Sequence, residues 1–311
     1  MRHPFNPELL SSKSYREIYT LTTLYNDRTF IQVQMVVSNI GLCDGNAACE
    51  MLVLHSGEKS KKTFKRFKKS CWKFSDRPNP TLSIGPCCLI QEGESTKCVI
   101  MLDDNNAEIS LDRPPKSEKL SDTIFPRETS NKFYTNEVII PWTRLRATLK
   151  MSGSYEKHLK GFGMLEHSRS VGYPKDFSRG GIAFYGCQGT RLFLANFNFP
   201  AGPKRGGVGW VWDNRDQAPK PMTDLQMVMN GTNRFPKEGI LPIITAPLAP
   251  FIIAGQQGLF KLSLIDDIGP FLGFIAKIFI GNPVTRFYWA QARVSPDQPP
   301  IEGVLEIMNY E

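Results

Sequence analysis

The residues of this chain best equipped for chemistry fall in one stretch near its middle. Lys160-Gly161-Phe162-Gly163-Met164-Leu165-Glu166-His167-Ser168-Arg169-Ser170 puts two glycines, a carboxylate, an imidazole, a hydroxyl and a guanidinium within ten residues. Adjacent carboxylate and imidazole groups are the side chains most used to move protons. Other chemistries leave no trace of the required spacing. No Gly-Lys-Ser/Thr opens a helix after the Pro/Gly/basic loop 200–207, so no phosphate loop is expected. The seven cysteines are odd in number and irregularly spaced, with no CxxC pair. A zinc ribbon or thioredoxin site is therefore not expected, and free thiols in a reducing compartment account for them. Asp103-Asp104-Asn105-Asn106 has the composition of a hairpin turn, and no second acidic cluster at fitting spacing makes it a metal site. The chain is expected to hold neither metal nor cofactor.

The elements around this stretch read mainly as strands. In Thr29–Ser38, Ile31, Val33, Met35 and Val37 alternate with Phe30, Gln32, Gln34 and Val36, the period of a strand with unlike faces. Leu145, Ala147, Leu149 and Met151 alternate in the same way with Arg146, Thr148 and Lys150. Further strands are expected at Glu17–Tyr25, Ala47–His55, Pro86–Gln91, Lys97–Leu102 and Ala107–Leu111. In the second half they are expected at Gly181–Cys187, Thr190–Phe199, Gly207–Asp213, Met222–Met229, Gly258–Ile265, Arg286–Val294 and Gly303–Tyr310. Leu111–Asn136 is polar and Pro-bearing and reads as a long loop, and Ser152–His158 as a link between two halves. One segment breaks the pattern. Ile268, Phe271, Leu272, Ile275 and Phe279 recur at helical spacing, with Pro270 in the first turn and Gly281 after the end, which predicts one helix over Asp267–Gly281. Many short strands and one helix make an all-β protein.

With 311 residues, 41% of them apolar, the chain is long enough for two domains and can bury a substantial core. Its net charge of +8 fits an anionic partner. The basic residues concentrate in Lys59–Lys73, where Lys59, Lys61, Lys62, Lys65, Arg66, Lys68 and Lys69 surround Phe64 and Phe67. That run is either a solvated hairpin or a weak contact for an anionic membrane surface. No matching basic face elsewhere supports nucleic-acid binding. No apolar run follows Met1-Arg2-His3-Pro4, and no apolar stretch reaches the ~20 residues of a membrane span. The expected location is intracellular, cytoplasmic or peripheral to a membrane.

Gly161-Phe162-Gly163-Met164-Leu165-Glu166-His167-Ser168-Arg169-Ser170 resembles the Gly-x-Gly-Tyr-x-Asp-His-Asn-Trp-Gly signature of the carotenoid 1,2-hydratase (hydroxyneurosporene synthase) superfamily. Gly161, Gly163 and His167 agree, Glu166 stands for Asp, and Met164, Ser168, Arg169 and Ser170 depart from it. Arg286–Val294 and Gly303–Tyr310 resemble that superfamily's closing Tyr-Trp and Gly-Tyr-Leu-Glu strands, and Tyr19–Asn39 its first hairpin. The resemblance implies two lipocalin-like antiparallel β-barrels packed together, here divided as 1–157 and 158–311. It implies a large apolar ligand, a lipid or an isoprenoid or polyene, held in or between the barrels. Superfamily members include carotenoid hydratases, tocopherol cyclases, pericyclases and lipid-carrying stress proteins, so both a binder and a cofactor-free hydratase or cyclase are implied.

For an enzyme of that kind, Glu166 is the acid and His167 orients it or relays the proton. A carboxyl group in a dry cavity stays neutral near pH 7 and can protonate an alkene or a carbonyl. Trp142, Trp210, Trp212, Tyr288 and Trp289 are the candidate ligand aromatics, facing a developing cation. Arg169 completes the candidate ligand-binding set. The alternative is a buried Glu-His-Ser-Arg network without chemistry, in which Arg169 pairs with Glu166 and lowers its pKa.

Overall fold

The computed structural model of the chain describes residues 2–39, 45–115, 118–121, 132–153, 155–189, 191–200, 206–213, 220–225, 228–230, 239–246, 251–263 and 283–310. The helix expected over Asp267–Gly281 lies outside them. The chain forms two units, Met1–Gly172 and Tyr173–Glu311.

The first unit is built from β1 (Tyr15–Tyr25), β2 (Thr29–Ser38), β3 (Asn46–His55), β4 (Lys61–Phe67), β5 (Trp72–Ser75) and β6 (Thr81–Ile84). It continues with β7 (Cys87–Glu92), β8 (Ser95–Leu102), β9 (Asn105–Leu111), β10 (Glu118–Ser121), β11 (Phe133–Lys150) and β12 (Lys157–Val171). These make one antiparallel sheet in the order β4-β3-β2-β1-β12-β11-β9-β8-β7-β6-β5, with β10 added on β11. The sheet rolls onto itself. Lys65 of β4 pairs with Asp103 in the β8–β9 turn at 2.9 Å, and Asn105 donates to Thr63 at 3.0 Å. The alternation read in β2 is the reason it can roll. Ile31, Val33, Met35 and Val37 are all buried on the inner face, in one core with Leu21, Ile100, Ile109, Leu145 and Leu165.

Three sequence readings shift in this unit. β11 starts at Phe133, well inside the stretch read as loop, and passes through Pro141 by way of register shifts between Val138 and Thr143. A proline has no N–H for the ladder, and a bulge is where a strand tolerates it. β11 and β12 form a hairpin where a link between halves was expected, because Leu149 pairs with Lys157 and Ala147 with Leu159. The division at 157/158 therefore moves to Gly172/Tyr173, and β12 belongs to the first unit.

The second unit opens with a single helical turn, α1 (Pro174–Phe177), and continues with β13 (Ser178–Gln188), β14 (Arg191–Pro200), β15 (Gly207–Trp212), β16 (Lys220–Leu225) and β17 (Val228–Met229). β18 (Ile243–Ala246), β19 (Phe251–Ser263), β20 (Val284–Arg293) and β21 (Ile301–Asn309) complete it. Their order is β16-β15-β14-β13-β21-β20-β19-β18-β17. This sheet also curls, since Phe251 of β19 reaches Phe193 and Phe197 of β14 at ring separations of 5.4 and 6.2 Å. Both sheets follow one plan, in which the first long strand pairs with the last and hairpins extend to either side. The all-β class with two barrel-like antiparallel sheets agrees with the sequence reading.

Candidate functional site

The central stretch is β12, bonded on one side to β1 and on the other to β11. Its glycines have a steric purpose. A Cβ on Gly161 would collide with the backbone carbonyl of Leu24, and one on Gly163 would lie 2.5 Å from Leu145 Cδ2 and 2.9 Å from Thr22 O. The two positions let β1 and β11 close tightly around β12 just before its acid–base residues.

Successive residues of a strand point to opposite faces, and this separates the expected catalytic pair. Leu165 lies in the inner core, so His167 and Arg169 share its face and Glu166 faces outward with Met164. Glu166 is buried, 5% exposed, and its Oε1 accepts a hydrogen bond from Asn136 Nδ2 at 2.9 Å. Burial raises its pKa to about 7, and the Asn136 bond offsets only part of that. No ion pair involves Glu166 among the described residues, and its Oε2 accepts no hydrogen bond there. Pairing of Arg169 with Glu166 does not occur. Arg169 Nη1 donates to Glu8 at 2.6 Å, and Nη2 lies 3.6 Å from Glu137.

His167 does not orient Glu166. Its Nε2 lies 2.9 Å from Oε2 of Glu17 on β1, and its ring stacks on Tyr19 with centroids 4.4 Å apart. Glu17 is fully buried and also receives Tyr15 Oη at 2.5 Å, Leu9 N at 3.2 Å and Glu8 N. Burial alone would raise the Glu17 pKa. The hydrogen bonds from His167 and Tyr15, the imidazole charge and the Glu8 N–H outweigh it and hold the carboxyl below its usual range. Glu17 is thus an ionised acceptor, which makes His167 Nε2 the N–H donor. Above this cluster residues 2–12 cross the end of the barrel. Phe5 is fully buried in the core, Tyr19 Oη donates to Pro4 O at 3.2 Å, and His3 stacks on Phe74 and meets Gln91 at 2.8 Å.

Glu17, Tyr15, Tyr19 and Asn136 were not among the sequence candidates. The first three carried a signal, because Tyr15, Glu17, Tyr19 and Leu21 alternate on one strand and put a carboxylate among apolar positions of the inward face. Asn136 was hidden in the stretch read as a loop.

The candidate aromatics divide. Trp142 is buried on the face of Glu166, outside the inner core. The other four belong to the second unit and are also buried. Tyr288 points into that unit's core, while Trp289, Trp210 and Trp212 take the opposite face, since their cross-strand partners Val304, Asn196 and Leu194 alternate with core residues. In the basic run, Lys61 donates to Ser152 O, Lys62 pairs with Glu50 at 3.5 Å and Lys65 with Asp103, so three of its charges have partners in the first unit. β4 is the edge of its sheet, where lysines also discourage pairing with another chain.

The inner face of the first sheet carries one buried apolar cluster. A cleft of about 610 Å³ opens between the β8–β9 and β11–β12 turns, beside Asp103, Asp104, Lys150 and Tyr155, away from Glu166 and His167. Among the described residues no group of three or more metal-ligating side chains occurs, and no helix is long and apolar enough to cross a membrane.

No protein-family profile and no curated protein sequence matches the chain. Solved structures do. A protein of Nitrosomonas europaea assigned as AttH (NE1406) superposes with a TM-score of 0.66 at 11% identity, covering 100% of this chain and 97% of its own. CghA gives 0.59 at 8% identity over 100% and 94%, and kievitone hydratase of Nectria haematococca 0.53 at 8% over 100% and 93%. At such identities the likeness is one of fold, and the chain shares with these proteins the architecture of two lipocalin-like β-barrels.

Proposed function

We propose that this chain is an acid catalyst of the hydratase or cyclase class, acting on a large apolar isoprenoid or polyene with Glu166 as proton donor. One observation carries the reading: a buried carboxyl whose single hydrogen bond comes from a neutral amide and which meets no cation among the described residues. Asn136 donates to Oε1. Oε1 then serves as the carbonyl oxygen, and Oε2 carries the transferable proton. Protonation of an alkene forms a C–H bond from the π pair and leaves the Glu166 carboxylate and a carbocation. Water adds to the cation and the resulting oxonium returns a proton to Glu166, or a second alkene adds through its π pair, moving the cation to its other carbon, which then loses a neighbouring C–H proton to Glu166 and forms a new double bond. Buried aromatics stabilise such a cation, and Trp142 is on the same face. The fold shared with a kievitone hydratase agrees with this chemistry.

The test is turnover of isoprenoid alkenes and conjugated polyenes in deuterium oxide, followed by mass spectrometry. The wild-type chain is expected to give deuterated product, and Glu166→Gln to lower the rate on the order of 10²–10⁴-fold. Equal rates in both proteins overturn the assignment of Glu166. Binding of these compounds without turnover leaves a carrier of apolar ligands as the function.

A further inference from the structure

Two buried polar groups on the Glu166 face lack partners among the described residues. Thr22 is fully buried and Trp142 is 3% exposed, yet Thr22 Oγ1 and Trp142 Nε1 make no hydrogen bond there. The register brings both next to Glu166. Thr22 is the cross-strand partner of Met164 in β1, and Thr20 that of Glu166. On the other side β11 pairs Ile140 with Leu165 and Thr143 with Gly163, so the bulge leaves Pro141 and Trp142 across from Met164. Thr22 and Trp142 thus flank Met164 on the two neighbouring strands, one step along β12 from Glu166. Buried indole N–H and hydroxyl groups almost always find partners, and leaving them without is costly. Two such groups beside a carboxyl with a spare oxygen form a set of hydrogen-bond donors that the described residues do not use. An indole N–H can only donate, so what it awaits is an acceptor.

We propose that this face of the first sheet binds an apolar ligand through a hydrogen-bond-accepting oxygen, as in a ketone or an enone, held by Trp142 Nε1 and Thr22 Oγ1. The inference rests on Glu166 being the acid of an apolar-ligand site, and it narrows the substrate to oxygenated molecules. A pure hydrocarbon would leave both groups unsatisfied, whereas a carbonyl oxygen has two lone pairs for them. Met164, fully buried between the two, takes up the space. Its unbranched side chain has the rotatable bonds to swing aside.

Fluorenone and fluorene test this, since they match in shape and differ by one carbonyl. The wild-type chain is expected to prefer fluorenone about tenfold in a calorimetric or fluorescence titration. Trp142→Phe and Thr22→Val keep an apolar side chain at each position but remove a donor, and each should abolish most of that preference by lowering fluorenone affinity more than fluorene affinity. Met164→Ala should tighten both probes by opening the space. Melting curves establish that each variant is folded. A preference that survives in both donor variants, or its absence in the wild-type chain and in Met164→Ala alike, overturns the proposal. Ordered water on Trp142 Nε1 and Thr22 Oγ1 that fluorenone does not displace also overturns it. The acid reading fails separately. Absence of the preference from the wild-type chain and from Met164→Ala, with Glu166-dependent turnover intact, refutes only the oxygen ligand, and a donor-dependent preference with Glu166-independent turnover refutes only the acid.

Discussion

Two glutamates one strand apart behave oppositely because of what surrounds them. Glu166 is buried with one neutral donor and keeps its proton to about pH 7, against an ordinary 4.5. Between those values the folded chain holds a proton that the unfolded chain has lost, so stability falls as pH rises through that window. The shift corresponds to about 3 kcal/mol. Urea unfolding at pH 5 and pH 8 should show this slope in the wild-type chain and a flatter one in Glu166→Gln. With Glu166 as the proposed acid, turnover requires its protonated form and should decline above about pH 7. Glu17 has the other sign. Its pKa is lowered by the donors that surround it, so it contributes stability above the unfolded carboxyl pKa and loses it as pH falls through the folded one. Glu17→Gln breaks a buried pair with His167 and is expected to cost about 3–5 kcal/mol at pH 7. It should also blunt the acid sensitivity of unfolding, and a variant as stable as wild type would remove the pair from the account of stability.

At the scale of elements, β12 and the segment before β1 govern the first unit. β12 carries the glycines that permit its neighbours to close. Gly161→Ala forces a methyl group against the Leu24 carbonyl, and since that neighbour is backbone it has little room to yield. Overpacking of this kind costs about 1–3 kcal/mol, which chemical denaturation would register. Residues 2–12 close the barrel end through side-chain contacts, with Glu17 binding two of their amides and Phe5 filling the core. Phe5→Ala should cost about 3–5 kcal/mol. Amide exchange at Glu8 and Leu9 should quicken more than exchange in β1, and equal protection in both proteins would show that Phe5 does not hold the segment down.

For the whole molecule, the cysteines distinguish surface from core. Cys71 is exposed, Cys88 and Cys187 are partly so, and Cys49, Cys87 and Cys98 are buried inside the first sheet. Burial raises the Cys98 thiol well above its usual pKa, which removes thiolate as well as access. Among the described cysteines, an aromatic disulfide reagent followed by peptide mass spectrometry should label Cys71 first. The three inner thiols should react only at the rate of unfolding of Met1–Gly172. Their early modification would mean that the first sheet opens locally far more often than its packed interior implies.

The sequence by itself determined the class and much of the local structure. Alternation with period two in Thr29–Ser38 and from Leu145 to Met151 assigned both strand and face, because a residue's side of a sheet depends only on its parity. Asp103-Asp104 was legible as a hairpin turn for a similar reason, since turn chemistry is local. The glycines of the central motif were visible, though not the Leu24 carbonyl and the Leu145 side chain that require them. Only the tertiary structure decided what the acid–base residues do. Adjacency in sequence brought Glu166 and His167 together on paper, while the pleat of β12 sent them to opposite faces. Each then took its partners from other strands, Asn136 for the one and Glu17 for the other. The same parity that made the strands readable separated the pair, and pairing across a sheet depends on register between distant segments, which no local pattern encodes.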